Sequence, residues 1–197
     1  MEEIDWNKVK EGIDLYNKIM EKVEPLNENF QKKFSRFYRV RRNQDWKKAF
    51  FQIFHESLKK RKFKDILEEL WRKTDQMEAS FASKMLHTLN PQMPIWDSIV
   101  VVHQLGIKVP VKKNKATDND EKDRMGKIIA IYEQLCKGYD SFINTNHGKE
   151  LIQKFDKQNP KTNIENIKKI DFILWASGKS AILTESEQNL FKLKNNA

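Results

Sequence analysis

Apolar side chains in this chain recur at the spacing of an α-helix, and this periodicity constrains the fold more than any other feature. A stripe of this period buries one face of a helix. Only six Gly and five Pro interrupt the 197 residues, and both residue types disfavour helix interiors. The sequence therefore predicts an all-α fold. The first stripe has steps of three and four and is closed by Pro25: Trp6, Val9, Ile13, Tyr16, Met20 and Val23.

Further helices are predicted from the same periodicity and from capping residues. Asn27 is expected to cap the second helix and Asp45 the third, because a short polar side chain accepts hydrogen bonds from the first free amides of a helix. Asp97 is expected to cap a sixth helix over residues 98–105, and Gly106 suits the position just after its end.

The chain is expected to form one multi-helix domain over residues 1–182, followed by a weakly patterned and frayed tail over residues 183–197. Residues 107–120 are polar and predict a mobile surface loop. The longest apolar runs have four residues, as in 99–102, whereas crossing a bilayer takes about 20. No membrane segment is expected. One cysteine, Cys136, and an acidic start without leader features predict a cytoplasmic protein.

Positive charge is concentrated in one part of the chain. Residues 31–64 hold thirteen Lys and Arg but only two acidic residues, while the whole chain has a net charge of +9. Four of the seven Arg lie between Arg36 and Arg42, and Arg binds phosphate with a planar fork of donors. This pattern indicates binding to a nucleic acid. The candidate phosphate-binding residues are Lys32, Lys33, Arg36, Arg39, Arg41, Arg42, Lys59, Lys60, Arg61 and Lys62.

Residues 79–105 carry a second signal. A lysine on a predicted helix, Lys84, is followed by an extended turn with Pro94-Ile95, then by Asp97 and the apolar pair Val100-Val101. In this order the segment resembles the core of the helix-hairpin-helix DNA glycosylases, the superfamily of endonuclease III and the 8-oxoguanine glycosylases. It also resembles small uncharacterised bacterial proteins with a Ser-Lys-X-Leu-His…Asn-Pro…Pro-Ile-Trp-Asp signature.

The resemblance implies a fold, a chemistry and duplex DNA as the partner. Base excision breaks an N-glycosidic bond through a cationic sugar, which a carboxylate stabilises and a lysine amine can attack. It therefore implies Lys84 as nucleophile and Asp97 as catalytic carboxylate, with Trp96, His87 and His103 lining a pocket for an extruded base. The glycines of the family's hairpin are absent from residues 78–82, so a degenerate hairpin is expected.

No cofactor or metal is expected. The chain lacks the four cysteines that hold an iron–sulfur cluster, and His55 and His147 have no partner at the spacing of metal ligands.

Several alternatives remain open at this level. Asp97 serves equally well as a plain helix cap, and Lys84 is one of thirty lysines. The same fold can act as a non-catalytic module that binds DNA, RNA or a protein. The basic residues can also form a solvated surface or meet an acidic protein partner. The sequence does not determine the oligomeric state, the excised base, or whether the nucleic acid is DNA or RNA.

Overall fold

The computed structural model describes residues 4–58 and 62–193, and all regular secondary structure in this part of the chain is helical. The prediction of an all-α fold is confirmed. The chain divides into two compact units. We name Trp6–Ile95 the N-terminal unit and Trp96–Ala197, together with Met1–Asp5, the C-terminal unit.

The N-terminal unit contains five helices among its described residues. Helix α1 packs against α2, α3 packs against α4, and α4 packs against α5. The helices are α1 (Trp6–Met20), α2 (Glu28–Phe37), α3 (Gln44–Glu56), α4 (Phe63–Thr74) and α5 (Ala79–Leu89).

Side-chain caps fix the starts of α2 and α3. The Asn27 side chain accepts hydrogen bonds from the amides of Asn29 and Phe30, at 2.9 and 3.2 Å, as predicted. The expected cap of α3 is wrong by two residues. Asn43 accepts from the Trp46 amide at 2.9 Å, while Asp45 lies inside the first helical turn. The carboxylate there still faces favourably towards the positive end of the helix dipole.

Aromatic rings dominate the core of the N-terminal unit. Phe34, Phe50 and Phe54 are fully buried, and the Phe34 ring centre lies 5.6 Å from Phe50 and 5.4 Å from Phe54. Tilted and edge-on ring pairs at these distances add about 0.5–1.5 kcal/mol beyond the area they bury. The core therefore holds α2 and α3, and the connection between them, in one arrangement.

The C-terminal unit is built around helices α6 to α8. Helix α7 packs against α8, α8 packs against a π-helical segment, and α6 and α9 both pack against a 3-10 turn. The elements are the π-helical segment Ile99–Gln104, α6 (Asp118–Phe142), α7 (Asn146–Gln158), α8 (Asn166–Ala176), α9 (Glu185–Gln188) and the 3-10 turn Asn189–Phe191.

The π-helical segment differs from the α-helix predicted for residues 98–105. The Leu105 amide bonds the Val100 carbonyl at 2.9 Å, five residues back, where an α-helix would use four. Four consecutive β-branched residues, 99–102, have low α-helical propensity. The buried Gln104 side chain donates to the carbonyls of Gly178 and Ser180, at 2.9 and 2.8 Å. We attribute the wider turn to this weak propensity and to the tertiary tie at Gln104.

Residues 183–193 differ from the frayed tail expected after residue 182. They form α9 and the 3-10 turn, and Phe191 is buried. Its ring lies against Gly138 of α6 so closely that a Cβ at Gly138 would collide with it. The absence of a side chain at Gly138 therefore allows the Phe191 ring to pack directly against α6. Residues 194–197 lie outside the described part of the chain.

Candidate functional site

The connection between α2 and α3 displays arginines outward. Tyr38 and Val40 are buried, whereas Arg39 and Arg41 are exposed. The Val40 amide bonds the carbonyl of Ser35 at 2.9 Å and closes the end of α2. Because inward and outward residues alternate, the core fixes the direction in which both arginines project. We name residues 36–42 the arginine turn.

Arg39 occupies a backbone conformation that is unusual for its residue type. Its φ is 51°, in the left-handed region. This position just after a helix is usually taken by Gly, which has no Cβ to clash there. A non-glycine residue costs about 1–2 kcal/mol in this region. The turn therefore keeps a guanidinium at a position where folding alone favours glycine.

Two kinds of arginine occur in the arginine turn. Arg36, Arg39 and Arg41 are exposed, and they make no ion pair with residues 4–58 or 62–193. Arg42 instead pairs with Glu78, and its guanidinium carbon lies 5.8 Å from the ring centre of Trp46. Arg42 therefore ties the turn to α5's start and α3, while the other three leave their positive charge uncompensated.

The remaining predicted phosphate-binding residues surround the arginine turn in sequence. Lys32 is exposed and pairs with Glu28 at 3.5 Å. Lys33 is exposed, and its ammonium donates to the carbonyl of Lys18 at 3.4 Å. Lys62 is exposed just before α4. Three members of the predicted set lie outside the described residues: Lys59, Lys60 and Arg61.

Lys84, the predicted nucleophile, lies on α5 of the N-terminal unit and is buried. Its Nζ is 5.2 Å from the ring centre of Phe81 and 5.6 Å from that of Tyr38. Aromatic faces at this distance attract an ammonium group. Helix α5 begins at Ala79, so residues 78–82, where a degenerate hairpin was expected, are helical from the second residue.

His87 is buried with both ring nitrogens engaged. Nδ1 lies 2.6 Å from the carbonyl oxygen of Met93, and Nε2 lies 3.0 Å from the hydroxyl of Tyr16. A carbonyl only accepts, so Nδ1 carries a hydrogen and donates it to Met93. His87 thereby holds the extended Pro turn against α5. Of the other two predicted pocket residues, Trp96 is buried and His103 is exposed.

Asp97 lies in the C-terminal unit, whereas Lys84 lies in the N-terminal unit. The half-buried Asp97 accepts a hydrogen bond from the Ile99 amide at 2.9 Å. This is the bond expected of a helix cap, but Ser98 stands between Asp97 and the π-helical segment, which begins at Ile99.

A buried ion pair on α8 was missed by the sequence interpretation. Lys168 and Asp171 are both buried, with Nζ 2.6 Å from Oδ2, and Nζ lies 4.3 Å from the ring centre of Phe172. Burying two charges carries a large desolvation cost. The signal in the sequence was a Lys and an Asp three residues apart within an otherwise apolar helix.

Buried charge also acts on Tyr139 of α6. Burial raises the pKa of its hydroxyl well above the usual range, and the negative charges of Asp171 and Asp97 raise it further. The Tyr139 hydroxyl has no hydrogen-bond partner within the described residues. The C-terminal unit therefore contains a cluster of ionisable groups with perturbed properties, a feature common at functional sites and at structural ion pairs.

In the part of the chain that the structure describes, no three His, Cys, Asp or Glu residues are arranged to hold a metal ion. Among the same residues, no helix combines the length and apolarity needed to cross a bilayer. Comparison of the chain with protein-family models, with curated proteins and with solved structures finds no match.

Proposed function

We propose that this protein binds duplex DNA through the arginine turn. One observation carries the proposal: Arg36, Arg39 and Arg41 are exposed without an ion pair in the described chain, on a turn whose direction is fixed by buried neighbours. Guanidinium groups held in this way bind phosphate oxygens through two parallel hydrogen bonds.

The backbone of Arg39 supports a functional role for its side chain. A glycine at this position would remove the steric strain that a Cβ causes in the left-handed region. Strain that persists at a surface position is typical of residues kept for binding, where stability is exchanged for function. In Arg39 the backbone cost and the uncompensated charge coincide.

Arg39→Gly separates binding from folding. We expect the variant to be as stable as the wild type or more so, and to bind a duplex several-fold more weakly. Asp75→Gly is the matched control, because Asp75 also has a left-handed backbone, with φ 53°, after α4. It should gain stability without losing affinity. Equal affinity of Arg39→Gly and the wild type would contradict the proposal.

The salt dependence measures how many phosphates are contacted. For B-DNA, log K falls with log salt by about 0.9 for each phosphate neutralised. Replacing Arg36, Arg39 and Arg41 together by Gln should therefore reduce the slope by about 2.7. If the triple variant has the same slope as the wild type, measured between 50 and 200 mM salt, these side chains do not bind phosphate. In a competition experiment, binding of an acidic protein that excess duplex DNA does not weaken would instead favour a protein partner.

A second function, base excision, is favoured by the setting of Lys84. A lysine buried between two aromatic rings has the partly dehydrated environment that a nucleophilic amine requires. In this hypothesis the Lys84 amine attacks the sugar. The carboxylate role implied for Asp97 is tested separately, because Asp97 belongs to the other unit. A non-catalytic module on the same fold is the alternative.

Borohydride trapping on duplexes with 8-oxoguanine, uracil, alkylated bases or an abasic site tests excision. A covalent adduct that is lost in Lys84→Gln would assign the nucleophile. Absence of both adduct and base release, with salt-sensitive duplex binding retained, would favour the non-catalytic module. Base release that is lost only in Asp97→Asn would indicate excision without a lysine intermediate.

A further inference from the structure

A second basic connection lies in the C-terminal unit, between the π-helical segment and α6. We name residues 107–116 the valine loop. Its middle is tied to α6 at two points. The carbonyl of Pro110 accepts from Nε of Arg124 at 3.3 Å, and the Lys113 ammonium pairs with Asp120 at 2.7 Å. These ties hold the intervening residues out from the helix.

Two residues, Val111 and Lys112, lie between the two ties, and the first of them is apolar. Val111 is 81% exposed, the most exposed of the large hydrophobic residues in the described chain, and Val109 is 37% exposed. A valine displayed to this extent contributes nothing to the core. The two ties lie on either side of it in the chain.

Lysines flank the exposed valine. Lys108, Lys112 and Lys115 are exposed and make no ion pair with the described residues. By contrast, Lys113 is neutralised by Asp120, and Arg124 pairs with Glu121 at 3.0 Å. The ties therefore use charges that are already balanced, and three positive charges remain beside the valine.

We propose that the valine loop is a second contact with duplex DNA, in which Lys108, Lys112 and Lys115 bind phosphates and Val111 packs between bases as an apolar wedge. The inference rests on the proposed DNA binding and extends it to the C-terminal unit. Apolar side chains inserted at a base step partly unstack it and kink the duplex. Phosphates on both sides of the step suit lysines on both sides of the valine.

The small apolar surface of the valine loop argues against a membrane as its binding partner. A single myristoyl chain binds a bilayer with an association constant of only about 10⁴ M⁻¹. Val111 and Val109 together have far fewer apolar carbons than that chain. A base step offers the opposite balance, because phosphate contacts supply most of the affinity and one wedge residue is sufficient. Single-stranded binding is disfavoured because it commonly uses aromatic rings, and residues 107–116 contain none.

The lysines are tested by the salt slope of duplex binding in the full chain. Lys108, Lys112 and Lys115 replaced together by Gln should lower the slope by about 2.7. The matched control replaces three exposed lysines of α7, Lys149, Lys154 and Lys157, by Gln. The control has the same net charge, so we expect a much smaller change.

The wedge is tested with duplexes carrying 2-aminopurine, whose fluorescence rises when it unstacks. The wild type should increase the emission on binding, and Val111→Ser should abolish that increase and weaken binding about tenfold without changing the salt slope. Leu26→Ser is the control, because Leu26 is also exposed but lies in the N-terminal unit. It should behave as the wild type.

The outcomes distinguish this inference from the proposed function. If the wild type binds duplex with a slope that depends on the arginine turn but not on the valine-loop lysines, the loop proposal is overturned and the function stands. If the wild type does not bind duplex, both are overturned. Binding to phosphatidylserine vesicles that is lost in Val111→Ser, without a 2-aminopurine response, would replace DNA by a membrane surface.

Discussion

The arginine turn and the valine loop are both basic connections between helices, but they are held in different ways. The arginine turn is fixed from inside, because Tyr38 and Val40 are buried on either side of Arg39. The valine loop is tied from outside, by the exposed Lys113–Asp120 pair and by Arg124. Burial of an apolar side chain contributes about 1.5–3 kcal/mol, whereas an exposed ion pair contributes about 0–1 kcal/mol.

This difference separates their expected behaviour. The shape of the arginine turn is coupled to the folding of its unit, so its side chains are already organised before a ligand arrives. The valine loop can adjust locally without unfolding α6. A rigid contact sets position on a ligand, and an adaptable one can follow a change in its shape. Five variants, together with measurements of acid resistance and thiol alkylation, test whether this distinction is real, beginning with the largest expected effect.

Val40→Asp should destabilise the protein strongly, because it places a carboxylate where a buried valine supports the arginine turn. The cost of burying an unpaired charge is about 3–5 kcal/mol. Val111→Asp introduces the same group at an exposed position and should change stability by less than about 0.5 kcal/mol. Urea unfolding measures both. Similar losses in the two variants would refute the difference in how the connections are held.

Glycine substitution compares the two left-handed residues of these connections. Arg39 has φ 51° and Lys115 has φ 58°. Replacing either by Gly relieves the Cβ clash but increases the freedom of the unfolded chain, so each should raise stability by about 0.5–1 kcal/mol. Thermal unfolding measures the change. A loss of stability in Arg39→Gly would mean that its side chain supports the turn itself.

Arg124→Gln should loosen the valine loop while leaving the fold intact. It removes the bond to Pro110 and the ion pair with Glu121. We expect a global stability loss below about 1 kcal/mol, with cleavage by a lysine-specific protease in residues 107–116 increased several-fold. Cleavage as slow as in the wild type would show that the loop does not depend on this tie.

The ion pair between Lys113 and Asp120 should persist at acidic pH. A hydrogen bond from Lys113, together with bonds from Thr117, holds the pKa of Asp120 well below its usual range. The folded pKa is lowered, so the stabilisation is present above the usual pKa of Asp and is lost only as the pH falls through the lowered value. Protease protection of Lys113 should therefore persist at pH 4. Loss of protection between pH 6 and 4 would contradict this pairing.

The smallest expected effect is on the alkylation rate of Cys136, which reports whether α6 opens together with the valine loop. Burial, and then the charge of Asp140, raise the pKa of its thiol to about 12. Alkylation should be slow at pH 8 and should increase with pH, because only the thiolate reacts. Arg124→Gln should not change this rate if the ties hold the loop alone. Faster alkylation in that variant would show that the loop and α6 open together.

Much of the fold followed from local pattern. The helical stripes identified the helices, and Asn27 was correctly predicted as a cap because capping depends on adjacent residues. The third cap was placed at Asp45 instead of Asn43 because both residues are suitable and only the backbone path selects one. The segment after Asp97 was predicted as an α-helix, since the tie from Gln104 to residues 74 and 76 positions later is invisible locally.

The features of the candidate sites also divide into those set by local sequence and those set by tertiary packing. The amino-acid sequence by itself determined the helical class, the concentration of basic residues in 31–64, and the positions of Lys84 on a helix and of Asp97 just before a helical segment, because these depend on composition and short spacing. Only the tertiary structure decided which arginines are balanced by Glu78 and which are not, and that Lys168 and Asp171 are buried together. Charge compensation and burial depend on neighbours distant in the chain, and packing brings those neighbours together.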